Sequence, residues 1–167
     1  RERNRFLQEQ SRQLEQKISA NIRDFNGQPI KLDDENYDYK MIYYGDFQAF
    51  FQLYTAMLDG LKGFKIKSIY LTDSYKTMDV MKNTMKVQLE NTEYAYEEDP
   101  AMIHDSGLRK NTFYFLNSQN EVINSVEVLP KDDLAIGKAI KSTRAQVKKE
   151  LDKKFLSSFE FRLESQK

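Results

Sequence analysis

The order of hydrophobic segments predicts an α/β sandwich built on a mixed sheet. Three observations carry this reading. Apolar runs at residues 41–44 and 64–71 are each followed by a stretch of helical periodicity, and strands alternating with helices argue for parallel crossovers. Residues 112–116 and 121–129 are apolar strands separated by Asn117-Ser118-Gln119-Asn120, a hairpin that adds antiparallel strands. A long helical pattern then runs from Lys131. Helices must cover both faces of such a sheet to bury it.

Each element has its own warrant. Residues 1–24 are charged and glutamine-rich, with Leu7, Leu14, Ile18 and Ile22 on one helical stripe. They read as a helical arm or stalk, or as a helix lying against the domain; the stripe is too short to argue a coiled coil. Asn26-Gly27-Gln28-Pro29 signals a turn, residues 30–32 alternate as a short strand, and Asp33-Asp34-Glu35-Asn36 reads as an exposed acidic loop. The strand at 41–44 ends at Gly45-Asp46, where the Asp46 carboxylate can cap the next helix by accepting from its free amides. That helix shows one apolar face made of Phe47, Phe50, Phe51, Tyr54, Met57, Leu58 and Leu61, and Gly60 and Gly63 mark its end.

After the strand at 64–71, Met78, Met81 and Met85 mark a second helix. Val87, Leu89, Tyr94 and Tyr96 offer a weaker third strand. Glu97-Glu98-Asp99-Pro100 breaks the pattern, and residues 101–108 form a short helix or a loop. Beyond the hairpin, Leu134, Ile136, Ile140, Val147, Leu151 and Phe155 are expected on the buried side of the long helix. Residues 159–163 read as a late strand or a frayed tail.

Composition narrows the function. The length of 167 residues allows one domain plus an extension, with a real core. Lys+Arg and Asp+Glu both number 26, so the basic excess of a nucleic-acid binder is missing. Hydrophobic content of 40% against 31% charged describes a folded soluble domain. No stretch approaches the roughly 20 apolar residues that span a bilayer. The chain opens at Arg1 without a signal-peptide core, so a mature or clipped form is expected, with any targeting segment or membrane tether outside it. The absence of cysteine excludes disulfides, thiolate catalysis and cysteine-ligated metals. With His104 the single histidine, a metal site would rest mainly on carboxylates.

Three segments carry a resemblance. Residues 25–32 (Phe-Asn-Gly-Gln-Pro-Ile-Lys-Leu), 39–45 (Tyr-Lys-Met-Ile-Tyr-Tyr-Gly) and 112–123 (Thr-Phe-Tyr-Phe-Leu-Asn-Ser-Gln-Asn-Glu-Val-Ile) are similar, in order and separation, to the entry hairpin, first core strand and late hairpin of TlpA/ResA-type thioredoxin-like and peroxiredoxin-like domains. The match covers roughly residues 25–142 and also resembles exported redoxins of the Bacteroidetes. It implies a thioredoxin-like three-layer sandwich with a mixed sheet, preceded by the N-terminal helical arm. It further implies a domain at 25–157, between an arm at 1–24 and a tail at 158–167.

The departures from that family matter more. Its Cys-x-x-Cys falls on Phe47-Gln48-Ala49-Phe50, and its cis-proline ahead of the hairpin strand falls on Asn111, with Thr112 retained. A cis bond before a non-proline costs about 2.5–4 kcal/mol, so a trans bond is expected. Neither thiol–disulfide exchange nor peroxidase chemistry through cysteine is then possible.

Other candidate sites are weaker. His104 with Asp105 and Ser106 invites acid–base chemistry, but local adjacency does not make a triad, and a surface loop histidine explains it as well. The acidic runs at 33–35 and 97–99 lack the ligand spacing of a calcium loop and read as solvated loops. Lys148, Lys149, Lys153 and Lys154, interleaved with Glu150 and Asp152, read as an exposed salt-bridged face. No metal or cofactor is expected.

The leading expectation is therefore a redox-inactive thioredoxin-like module that binds a protein or peptide, as an accessory subunit of a cell-envelope assembly, membrane-tethered and extracytoplasmic. Asp46, Phe47, Gln48, Asn111 and Thr112 are the candidate binding residues. Phe47 would supply apolar contact; Asn111 and Thr112 would offer polar or backbone groups to an extended chain. A cysteine-free enzyme using His104 and carboxylates, and a purely structural assembly subunit, are the alternatives.

Overall fold

A computed structural model describes residues 2–72, 74–85, 88–97 and 108–165. Helix α1 spans Glu2–Asn21, followed by β1 (Ile22–Asp24), β2 (Tyr39–Tyr44), α2 (Phe47–Gly60), β3 (Ile66–Thr72) and α3 (Tyr75–Asp79). A π-helical turn at Val80–Met85 continues α3; then come β4 (Thr92–Glu97), β5 (Thr112–Leu116), β6 (Val122–Glu127) and α4 (Asp133–Ser165). The strands form one sheet in the order β1-β4-β3-β2-β5-β6.

Strands β2, β3 and β4 run parallel, while β5, β6 and β1 are antiparallel to their neighbours. The β2–α2–β3 crossover, the returning β5–β6 hairpin and the closing helix are the thioredoxin-like arrangement, with β4 and β1 added at one edge. Alternation along each strand divides the core between two faces. Tyr39, Met41 and Tyr43 of β2 share one face with Phe113 and Phe115 of β5, under Phe50, Leu53 and Met57 of α2 and Ile136, Ala139 and Val147 of α4. Ile42, Tyr44, Ile69, Leu71, Tyr114 and Leu116 build the other face with Ile30, Leu32 and Leu108, and Leu7 of α1 packs there. The sheet is thus the middle of three layers.

Helix α1 also shields an edge. The Ser11 hydroxyl accepts from the Val122 amide at 2.7 Å, and Arg3 donates to the Asn124 side chain at 3.2 Å. Strand β6 ends the sheet, and its outward groups would otherwise invite another strand.

Several local expectations change. Residues 30–32 form no strand: Ile30 and Leu32 are buried as anchors of an extended segment, which meets the sheet margin through the Arg23–Pro29 bridge, the Ile30 amide on the Ile22 carbonyl at 3.4 Å and Lys67 on the Lys31 carbonyl at 3.3 Å. The edge strand is instead Ile22–Asp24, paired with β4. The third parallel strand begins at Thr92, after Leu89. On α2, Ala49 and Leu53 are buried while Phe51 and Leu58 are 43% and 50% exposed, because the sheet meets a narrower stripe than the apolar pattern covers. On α4, Ala139 and Thr143 join Ile136 and Val147 inside, whereas Leu134, Leu151 and Phe155 face solvent. Residues 159–163 continue that helix and form no strand.

The loop at 33–36 also does more than present charge to water. Lys40 and Lys67, register partners on β2 and β3, are 1% and 6% exposed. Lys67 pairs with Glu93 at 3.0 Å and lies 4.0 Å from Asp34; Lys40 donates to Asn120, whose amide reaches Asp33 at 2.7 Å. Burying an ammonium requires such partners.

Candidate functional site

The carboxyl ends of parallel strands are where open α/β sheets present their ligand crevices. Here β2 ends at Tyr44, and Gly45 turns the chain into α2 with φ at 151°. Asp46 caps the helix as the sequence predicts, accepting from the amides of Gln48 at 2.8 Å and Ala49 at 3.3 Å. Its extended backbone (φ −71°, ψ 135°) is that of an N-cap residue.

Phe47 opens α2 half-buried. Its ring lies 6.0 Å from that of Phe50, 6.4 Å from Phe51 and 5.5 Å, edge-on, from Tyr70. Phe50 is wholly buried, so of the two positions the family gives to cysteine, one lies partly buried at the margin of the core and the other belongs to the core itself.

The second half of the site arrives from far along the chain. Thr112 pairs with Tyr44 in the β2–β5 ladder, which sets Asn111 beside Gly45. Asn111 adopts φ 58°, and no described peptide bond is cis, in accord with the expected trans bond. Its carbonyl accepts from the Val128 amide at 2.8 Å, which ties the end of β6 to the start of β5. Leu129, next in the chain, is 46% exposed.

Four of the five sequence-nominated residues therefore meet at one end of the sheet: Asp46 and Phe47 from the β2–α2 junction, and Asn111 and Thr112 from the start of β5. Gln48 is adjacent in the helix, but its side chain is exposed and its amide is spent on the cap. Sequence reading missed Gly45, Tyr43 and Tyr70. The Tyr70 hydroxyl donates to the Gly45 carbonyl at 2.5 Å, and the Tyr43 hydroxyl donates to the Val128 carbonyl at 2.7 Å. Both hold the junction. Their signal lay in phenols on otherwise apolar buried strands, since a buried hydroxyl needs a partner.

Burial, with Asp46 nearby, pushes the Tyr43 phenol well above its ordinary range, so it stays a proton donor near neutrality. Neither thiol nor imidazole is among the site's described residues. His104 and the acidic residues Glu98 and Asp99 lie outside the described residues. Among the described residues, no cluster of acidic, histidine or cysteine side chains could hold a metal ion, and no helix is long and apolar enough to cross a membrane.

No protein-family model matches the sequence, and no curated protein matches it. Solved structures do. Copper-bound yeast Sco1 aligns at 11% identity and a TM-score of 0.48, over 74% of this chain and 89% of that one. The exposed lipoprotein thioredoxin Etrx1 of Streptococcus pneumoniae aligns at 10% and 0.48, over 72% and 96%. A thioredoxin-like protein of Bacteroides caccae aligns at 15% and 0.47, over 72% and 46%. The chain's own strand order carries the fold: a thioredoxin-like domain without a cysteine.

Proposed function

We propose that the chain is a redox-inactive binding module that receives an extended peptide or protein segment across Phe47, Gly45 and Asn111. The observation that supports this reading most is Phe47 itself. At the position the family gives to a cysteine stands a partly buried ring, packed on Phe50 and Tyr70 and so held in place before any ligand arrives. Phe51 and Leu129, both partly exposed, extend the apolar rim, while Asn111 adds an amide side chain. A rigid aromatic beside an amide side chain suits capture of an extended chain.

The test is titration of the isotopically labelled protein with a pool of extended, apolar-anchored peptides, read by amide chemical shifts. Shifts centred on Gly45, Phe47, Asn111 and Thr112, lost in Phe47→Ala and Asn111→Ala, support the proposal. Shifts elsewhere, or binding indifferent to both substitutions, overturn it. The same proposal places the module as an accessory subunit of an envelope assembly, tethered outside the cytoplasm. That part rests on the sequence resemblance to exported redoxins, and fractionation of cells expressing the native gene checks it.

A further inference from the structure

Helices α1 and α4 pack on opposite faces of the sheet, and β6 ends the sheet between them. They leave a cleft of about 560 Å³ along that edge, within the roughly 300–1,000 Å³ of small-molecule sites. It lies at the turn end of the β5–β6 hairpin, away from Phe47 and Asn111, with Leu7 and Ile123 as its apolar surface. A buried hub sets its polar wall. Asn124, 0% exposed, donates to the Ser142 and Thr143 hydroxyls of α4 at 2.9 and 3.1 Å and accepts from Arg3 of α1 at 3.2 Å. The Arg3 guanidinium is thereby oriented at the cleft, and the rest of its N–H fork has no partner among the described residues. Lys149 and Lys153, one turn apart on α4, line the same space. The sequence pattern places these lysines in a salt-bridged face, yet among the described residues neither forms an ion pair. Three cations from the two ends of the chain thus converge with no carboxylate paired to any of them.

We propose that this cleft binds a small polyhydroxylated anion, a sugar acid or a sugar phosphate in chemical class. The cations select the charge. A guanidinium fork takes a carboxylate or a phosphate in bidentate fashion, and the two ammoniums add point charges. The other polar groups select the body. Asn4, Gln8 and Gln146 line the cleft, and their side-chain amides have no hydrogen-bond partner among the described residues. An amide side chain both donates and accepts, as a row of hydroxyls requires. The carboxylates at the cleft accept only: Glu121 is engaged by the Asn117 amide at 3.0 Å, and Glu150 is left to take a hydroxyl proton. Arg3, Lys149 and Lys153 against Glu121 and Glu150 leave the lining one positive, which suits one anionic group on an otherwise neutral body. The bound anion would join α1 to α4 across the sheet edge and so stabilise the docked arm by mass action.

Calorimetry and amide chemical shifts of the full chain test the site. The probes are glucuronate, glucose phosphorylated at its primary hydroxyl, unmodified glucose and inorganic phosphate. At least one of the two sugar anions is expected to bind saturably, with shifts at Ser11, Val122 and Gln146 and none at Gly45 or Phe47; the tighter of the two identifies the anionic group. Glucose and inorganic phosphate each lack half of the recognised chemistry and should bind at least about tenfold more weakly, the scale of a lost hydrogen bond to a charged group. Arg3→Gln, and Lys149→Gln with Lys153→Gln, should each weaken the sugar anion by a similar factor. Lys148→Gln with Lys154→Gln removes the same charge from the same helix outside the cleft and should leave binding unchanged. The melting curves of the ligand-free variants should stay close to that of the parent, since all five side chains are exposed. Failure of both sugar anions to bind, inorganic phosphate binding as tightly as they do, shifts centred on Phe47, or equal losses in the two lysine pairs overturns the proposal.

Discussion

The side-chain oxygen of Asn111 lies 2.9 Å from where a Cβ on Gly45 would stand. Two residues distant in sequence are thus fitted to one another at the centre of the candidate site. Tyr43 closes the same space at 3.0 and 3.1 Å. Gly45→Ala therefore meets a crowded site and a backbone angle that disfavours any side chain. We expect it to cost about 2 kcal/mol or more, in line with strained backbone positions. Asn111→Gly in the same chain should return part of that loss, and a double-mutant cycle by urea denaturation measures the coupling.

Restoring the family's proline should fail. Asn111 sits at φ 58°, while proline is confined near −65°. Asn111→Pro is expected to destabilise the fold by about 3 kcal/mol or more, because the β5 entry must rebuild its backbone. An unchanged urea midpoint would show that this turn is not held as described.

Phe47 and Phe50 separate function from folding. Phe50 is 0% exposed, and Phe50→Ala should cost about 3–5 kcal/mol, the range for a buried aromatic truncated to alanine. Phe47 is half-buried, and its truncation should cost clearly less, about 1–2 kcal/mol. Thermal melts of the two variants, run beside the peptide titration, distinguish a lost contact surface from a lost fold.

Alkaline pH should unfold the protein for a reason its tyrosines supply. Burial raises the phenols of Tyr39, Tyr43, Tyr54, Tyr94 and Tyr114 above their ordinary value. The unfolded chain gives up those protons first, so their contribution is complete below about pH 10 and is lost as pH rises beyond it. Lys40 acts in the opposite sense. Burial lowers its pKa, Asp33 raises it and Lys67 lowers it, so its charging cost is relieved as pH rises toward the unfolded value. Five groups against one predict a net loss of stability above about pH 10, read as a falling melting temperature alongside tyrosinate absorbance. Tyr43→Phe should reduce that alkaline slope.

How much of this was legible in the sequence depends on the range of the interaction. Period and punctuation showed the β2–α2–β3 unit, the Asp46 cap and the β5–β6 hairpin, because each is decided by residues within a few positions of one another. Composition alone settled that no cysteine chemistry occurs. The meeting of Asp46 and Phe47 with Asn111 and Thr112 was approached through a resemblance, and the Tyr44–Thr112 register realises it.

Other features depended on neighbours that no local pattern names. Ile22 to Asp24 became a strand because β4 offered an edge, while Ile30 to Leu32, with a better strand pattern, found none. Lys40 is buried because Asn120 and the loop at Asp33 reach it. On α4 the apolar spacing continues unchanged through Val147, Leu151 and Phe155, yet burial stops after Val147 because α2 ends at Gly60. Periodicity records which side of a helix is apolar. Whether anything lies against that side is decided by the lengths and positions of the other elements, which only the assembled chain determines.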